Sequence, residues 1–378
     1  MENEKMDRDI EKILTIIKKF SRINQWSKID DSSQIQCARF SFGFVNDIIR
    51  CSICPDAKAQ LFDVDLNQTI DDVVFKFFAE FDWLGIDRTE LAMINTVVSQ
   101  EGISPKLIYF DKNCQVNEFI KSHTYCYEDD CDEETVRKLA SLLAHLHSLI
   151  DIPISDDGHT RLEKIWSDDT SGLWDSNQII DLVRTKMNES QLERYVSIST
   201  IDVKECRTFL RQLISKIDSP LVFSHNDFNR GNRLVQCDES ENKRIYLVDF
   251  DYANYFARGQ DIGRYFSNYR HKDDMFGDEG FPTDQQMDLF IEEYRKEFAQ
   301  RTTNGLQWFN DQRNSREKFR SEAKIYAMKA YLDDCLFGLM MFHLQSEEKF
   351  LSIATKRYQG FLRLKKMFIE DGTIENVR

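Results

Sequence analysis

Long apolar runs, helix breakers and excess positive charge are all scarce in this sequence. No stretch approaches the roughly 20 apolar residues needed to span a bilayer, and Met1–Asp9 is charged with no apolar signal core behind it. Stable membrane insertion is excluded on that pattern, and the expected location is cytoplasmic. Five prolines and 14 glycines in 378 residues leave few linkers, and neither repeats nor low-complexity segments occur. Lys and Arg number 50 against 65 Asp and Glu, a formal net charge of -15. That balance repels phosphate backbones, so no nucleic acid partner is expected, whereas a cationic small molecule is tolerated. The nine cysteines are scattered, which reads as reduced thiols. Cys51 and Cys54 form one CxxC and Cys126 and Cys131 a looser pair, but no second CxxC or HxxxH completes a four-ligand zinc site.

What is present is an ordinary globular composition, 41% hydrophobic and 30% charged, in a chain longer than one compact core needs. Apolar positions at helical spacing predict an amphipathic helix over Arg8–Phe20. Segments rich in β-branched and aromatic residues follow at Ala38–Phe44, Asp47–Ile53, Val73–Phe78, Lys106–Tyr109 and Val116–Ile120, with a helix over Glu90–Ser99 between them. Beyond Ile120 the helical period dominates. Thr135–Ile150 carries Leu139, Leu142, Leu143, Leu146 and Leu149 on one face, and Ser321–Gln345 is helical again. The exception is Pro220–Asp251, where the apolar runs Leu221–Phe223 and Ile245–Val248 bracket a polar loop. The expectation is an α+β, bilobal molecule. A small strand-rich N-terminal lobe, 1–120, joins a larger mainly helical C-terminal lobe, 121–378, near Glu118–Lys121.

The chemistry concentrates in Phe223-Ser-His-Asn-Asp-Phe-Asn-Arg-Gly-Asn232 and Ile245-Tyr-Leu-Val-Asp-Phe-Asp251. Together they read H-x-D-x-x-x-x-N, then an aspartate at the end of an apolar strand. Phosphoryl transfer needs a carboxylate to hold the acceptor hydroxyl and metal ions to neutralise the β- and γ-phosphates. Asp227, Asn232 and Asp249 supply both. The interval of five residues from Asp227 to Asn232 lets a loop aim the first at the nucleophile while the second turns back towards the metal. Asp249 is expected to leave its strand facing the same ion, with Asp251 on the same side of the extended chain. Asp and Asn also cap loops wherever strands end, but here each half of the pattern follows its own apolar strand. His225 reads as a structural histidine orienting the loop, and His147 as a core or capping histidine.

The chain resembles choline and ethanolamine kinases, relatives of the protein-kinase fold. The resemblance rests on His225-Asn-Asp227 with Gly231-Asn232, on Val248-Asp-Phe-Asp-Tyr252 and on Arg258-Gly-Gln-Asp-Ile-Gly263, which is close to that family's R-G-x-D-I-G segment. Weaker similarity runs from about Ser41 to Phe361. The resemblance implies a protein-kinase-like fold, ATP and Mg2+ as cofactors, and Asp227 as proton acceptor. Asn232, Asp249 and Asp251 would hold the metal, Asp251 standing where the family usually has glutamate. Asn229 stands where it usually has glutamine, near the phosphates. In the small lobe Gly43 and Asn46 remain of a glycine-rich phosphate loop. Lys76 would reach the α- and β-phosphates and could pair with Glu90, and Glu118, Phe119 and Ile120 resemble the hinge that binds adenine. Without that context, Glu118–Ile120 is the end of an edge strand, and Lys76 a lysine solvated at a strand edge.

For the acceptor, the family holds choline in a cage of aromatic faces and carboxylates. This sequence has Asn268 and Tyr269 at one of its places and Phe337 with Met340 at the other, and Asp333 or Asp334 shares the helical face of Phe337. The expected partner is a small amino alcohol: choline, giving phosphocholine for phosphatidylcholine synthesis, or alternatively ethanolamine. A catalytically weak scaffold of the same fold also fits, given the degraded glycine loop, while the Arg258–Gly263 segment argues against an aminoglycoside-type enzyme. The resemblance admits a homodimer.

Overall fold

Alternation of apolar and polar residues makes the first strands one-sided. β1 (Ile35–Phe40), β2 (Asp47–Ile53), β3 (Asp72–Phe77), β4 (Leu107–Phe110) and β5 (Cys114–Glu118) form an antiparallel sheet in the order β1-β2-β3-β5-β4. Ile49, Cys51 and Ile53 of β2, Val73 and Phe75 of β3 and Cys114 and Val116 of β5 turn to one face. There they pack with Trp26 and with Ile13, Ile16 and Ile17 of helix α1 (Glu2–Ile17). The computed structural model describes residues 2–19, 26–40, 46–61, 70–78, 87–152, 154, 176–237, 243–272 and 280–377.

The opposite face of the sheet mixes polar and apolar residues, and helix α2 (Arg88–Gln100) meets it at Gln115 on β5, which donates from Nε2 to Asn95 Oδ1 at 2.9 Å. Lys76 is the register partner of Gln115, so it stands on the same face. Both strand-edge expectations are corrected here. β3 is flanked by β2 and β5, and β5 by β3 and β4, so Lys76 and Glu118 sit on interior strands; β4 folds back antiparallel and takes the edge.

The chain divides into two compact units, Met1–Lys121 and Ser122–Arg378. In the second, β6 (Ser122–Thr124), β8 (Arg233–Gln236) and β9 (Ile245–Leu247) form one antiparallel sheet, and β7 (Leu221–Ser224) pairs with β10 (Asn254–Ala257). Helices make up most of the rest. Helix α3 (Glu133–His147) buries Leu139, Leu143 and Leu146; it ends before Leu149, and Leu142 is half-buried. Helix α4 (Val203–Ile217) precedes β7, and α5 (Gly259–Phe266) follows β10. Three long helices complete the unit: α6 (Asp284–Arg301), α7 (Arg316–Gln345) and α8 (Glu348–Glu370). Among the described residues no helix is long and apolar enough to cross a membrane.

The contact of α5 with α7 explains two glycines. A Cβ on Gly259 would lie 2.4 Å from the Tyr326 ring, and one on Gly263 would lie 2.6 Å from the Ala327 backbone nitrogen. Only a bare Cα allows the helices this close.

Candidate active site

β7 ends at Ser224, and the next eight residues carry the predicted catalytic pattern. Asn226 has a φ of 64°, the left-handed region that asparagine tolerates better than most residues. The turn it makes presents Asp227. The Asp227 carboxylate accepts from two loop amides: Asn229 Nδ2 reaches Oδ1 at 2.7 Å, and Asn232 Nδ2 reaches Oδ2 at 2.9 Å. Asn232 also donates to the Asp227 carbonyl at 2.9 Å. The five-residue interval therefore closes on itself and fixes the carboxylate. The Asp227 side chain keeps 26% exposure, whereas Asn229 and Asn232 are buried. Asn229 Oδ1 is buried without a hydrogen-bond partner.

Three hydrogen bonds tie this loop to the Asp249 segment. Val248 N donates to Asn232 O at 3.0 Å, His225 Nε2 donates to Val248 O at 3.0 Å, and Asn226 Nδ2 donates to Tyr252 O at 3.0 Å. His225 Nδ1 accepts from Asp227 N at 3.3 Å, which sets the tautomer and gives this histidine the orienting role expected of it. Asp249 itself has a φ of 66°, and β9 ends at Leu247. The expected extended path from Asp249 to Asp251 is thus corrected: the chain turns at Asp249, because a left-handed residue cannot continue a strand. The carboxylates still gather. Burial, and then the negative charges of Asp227, Asp249 and Asp251, push the Tyr252 hydroxyl up from its ordinary range.

Among the described residues, one set of three His, Cys, Asp or Glu ligand atoms lies within 4.8 Å: His123, Cys126 and Asp129. That cluster is closed by its own hydrogen bonds, since Asp129 Oδ2 accepts the Cys126 N–H at 2.9 Å and the thiol at 3.2 Å and meets His123 Nε2 at 2.9 Å. Asp227, Asp249 and Asp251 form no such tight set. Their oxygen-only chemistry fits magnesium, which is usually held by one or two carboxylates with phosphate oxygens and water making up the shell. All nine cysteines are free thiols.

The backbone beneath the loop is held by Asp261 of α5. Its carboxylate accepts His225 N at 2.7 Å, Asn226 N at 2.8 Å and His147 Nε2 at 3.0 Å. His147 Nδ1 accepts from Tyr294 at 2.8 Å, and burial holds its basicity down, so this imidazole is a neutral core group as expected. Arg258 anchors the start of α5 through a bidentate pair with Glu322 of α7, at 2.8 and 2.9 Å. Arg233 supports the loop from its far end, donating from Nε to Asn229 O at 3.0 Å while its guanidinium is stacked among Tyr125, Phe228 and Tyr265.

The remaining predicted residues fall into two groups. In the first unit, Gly43 lies outside the described residues, and Asn46 is half-buried just before β2. Lys76 Nζ is 5.9 Å from the Phe78 ring centre. Glu118 ends β5, with Phe119 and Ile120 beyond it; the Phe119 N–H is given to Asp72 O at 3.0 Å, and Arg50 covers its ring at 3.9 Å. In the second unit, Asn268 and Tyr269 are buried after α5. Asn268 Oδ1 accepts from Arg357 at 2.6 Å, and Tyr269 packs edge-on against Tyr265 and Phe266. Asp334 is buried between Arg264 and Arg357, Phe337 is half-buried and Met340 is core.

The family model for choline/ethanolamine kinase matches residues 39–362. The chain belongs to the choline/ethanolamine kinase family. A human choline/ethanolamine kinase is 24% identical over 349 residues, covering 90% of this chain and 82% of that protein. A probable ethanolamine kinase of Arabidopsis thaliana is also 24% identical, over 71% of this chain and 65% of its own. In fold, the crystal structure of choline kinase from Cryptosporidium parvum Iowa II is similar with a TM-score of 0.66 at 19% identity, covering 96% of this chain and 97% of that one.

Membership in this kinase family makes the chain an ATP-dependent phosphotransferase that acts on a small alcohol. Two residues that hold the candidate loop escaped the sequence reading. Asp261 was visible only as a letter of the Arg258–Gly263 segment, and its role as acceptor for the loop backbone depends on a contact across 35 residues. Arg264, directly after that segment, places Nη2 3.9 Å from Asp227 Oδ1. The sequence signal was there: an arginine one helical turn from Asp261, on the face that α5 turns to the loop.

Proposed function

We propose that this kinase transfers the γ-phosphoryl group of ATP to the hydroxyl of choline, giving phosphocholine for phosphatidylcholine synthesis. The observation that carries the reading is the clamped carboxylate of Asp227. Two amides use one lone pair on each of its oxygens and leave the carboxylate in a single orientation with a free acceptor position. Asp227 takes the hydroxyl proton as the alcohol oxygen bonds to the γ-phosphorus and the bond from that phosphorus to the β,γ-bridging oxygen breaks, releasing ADP. Asn232, Asp249 and Asp251 would hold Mg2+, which would supply neutralisation of the charge on the phosphates. Lys76, Asn46, Gly43 and Asn229 are assigned to the phosphates. Glu118, Phe119 and Ile120 are assigned to adenine, with the Phe119 N–H already spent on Asp72. On this reading the enzyme works in the cytoplasm, and a homodimer is checked by mass in solution.

A second reading, ethanolamine in place of choline, is favoured by one observation. Tyr269 retains only 3% exposure, so one aromatic face fewer is left for a quaternary ammonium. Both are tested by ADP release with choline, ethanolamine and the methylated intermediates, with and without magnesium. Turnover on choline supports the first reading and selective turnover on ethanolamine the second. Turnover on none of them, despite measurable ATP binding, overturns both in favour of a binding or scaffold protein. Asp227→Asn is expected to lower kcat by at least about 10²–10⁴-fold, the contribution of a positioned general base, while nucleotide affinity by calorimetry stays near that of the unmodified enzyme.

A further inference from the structure

We propose that Arg264 is the positioning residue for the catalytic base, a guanidinium strung between Asp227 and helix α7, and that Asp334 is its anchor and not a contact for the acceptor's ammonium. The inference rests on reading Asp227 as the base.

The two ends of the Arg264 fork point in different directions. Nη1 pairs with the Asp334 carboxylate and lies 3.4 Å from the Ala330 carbonyl, both on α7, while Nη2 lies 3.9 Å from Asp227 Oδ1. Exposure rises along this line, from 3% at the Asp334 side chain to 15% at Arg264 and 26% at Asp227, so the chain of charges runs outward from the core to the base. The buried end is closed by Arg357. Its Nε is 3.5 Å from Asp334 Oδ2, Nη2 donates to Asn268 Oδ1 at 2.6 Å, and Nη1 donates to Ser267 O at 3.1 Å. Burial pushes the Asp334 carboxyl up, and the two guanidiniums act against that shift.

Asp334 therefore already has two cations, and Asn268 has given its oxygen to one of them. Helix α5 grips the loop twice: Asp261 takes the backbone N–H groups of His225 and Asn226, and Arg264, three residues on, steadies the side chain of Asp227. The two amides that also hold Asp227 belong to the same loop. Arg264 is the charged tie of the Asp227 side chain to the rigid helical layer, and its planar fork turns a different nitrogen to each of the two carboxylates.

The test uses the full chain with ATP, magnesium and whichever amino alcohol it turns over. Arg264→Gln is expected to lower kcat about a hundredfold, the size of effect that follows from misplacing a reacting group by roughly 1 Å, with acceptor KM and nucleotide affinity unchanged. Arg264→Lys should recover part of that loss, and it carries the test on the same kcat-against-KM split if the glutamine variant does not fold. Asp334→Asn should lower kcat in the same direction without raising acceptor KM. Wild-type kcat in Arg264→Lys and Arg264→Gln overturns the proposal, as does an Asp334→Asn enzyme with raised acceptor KM and intact kcat. An active Asp227→Asn enzyme would instead sink the reading of Asp227 as base, an outcome distinguishable from either.

Discussion

The loop from Ser224 to Asn232 and the segment from Ser267 to Arg270 contain similar polar residues, yet they use them in opposite ways. In the loop, backbone groups are tied down by Asp261, His225 and Val248, so that the Asp227 side chain can stay partly open. In the second segment the side chains themselves are spent. Asn268 serves Arg357, which also meets Asp334 of α7, itself paired with Arg264, and all of these but Arg264 are below a tenth exposed. A buried polar group costs free energy unless it is paired, so the segment that looks most suited to a ligand in sequence is the one whose polar groups pair with each other. Presentation to a substrate depends on who holds the backbone.

That contrast breaks most sharply at Asp261. Asp261→Asn keeps the shape but removes the charge from three hydrogen bonds and turns an amide N–H₂ towards a backbone donor. Bonds to charged groups contribute about 1.5–3 kcal/mol each, so an overall loss of at least about 3 kcal/mol of stability is expected in urea unfolding. Residual kcat should fall too, because Asp227 follows the loop. Stability and kcat both within error of the unmodified enzyme would mean that the loop holds itself. Gly263→Ala tests the same support from behind. Its Cβ would meet the Ala327 backbone nitrogen at 2.6 Å, and backbone cannot move aside as a flexible side chain can. Overpacking of this kind costs about 1–3 kcal/mol, so a lowered melting temperature together with reduced kcat is expected. A melting temperature unchanged by the extra methyl would show that α5 and α7 have room to separate.

What the sequence made legible follows the same division. β2 was predicted over its observed span, Asp47–Ile53, because its alternation is local. The loop was legible for the same reason, since Asp227, Asn229 and Asn232 bond to one another within five residues. The turn at Asp249 was not, because a positive φ at a residue other than glycine leaves no compositional mark, and the apolar run Ile245–Val248 was read as an extended chain continuing to Asp251. Nor was the interior position of β5 legible: whether a strand is edge or centre depends on where β4 folds back, a choice made between segments and not within either. Asp334 and Phe337 share a helical face as expected from their spacing, but nothing local revealed that Arg264, 70 residues earlier, would claim the carboxylate.

The smallest expected effect separates what remains of the acceptor end from core. Phe337 is half-buried, while Met340, one helical turn on, is 1% exposed among the core side chains. If Phe337 presents its face to a quaternary ammonium, Phe337→Ala removes one cation–π contact of about 0.5–2 kcal/mol. That corresponds to a rise in choline KM of about 2- to 30-fold, with a smaller change for ethanolamine, whose primary ammonium can turn to hydrogen-bond acceptors. Met340→Leu, a nearly volume-conserving change, should cost less than about 1.5 kcal/mol of stability and leave both KM values alone. Equal shifts for choline and ethanolamine in Phe337→Ala would assign that ring to packing. A KM change in Met340→Leu would move the border of the acceptor site one turn further into the helix than the burial of Met340 places it, because a side chain without exposed surface can alter binding only by shifting a neighbour that has some.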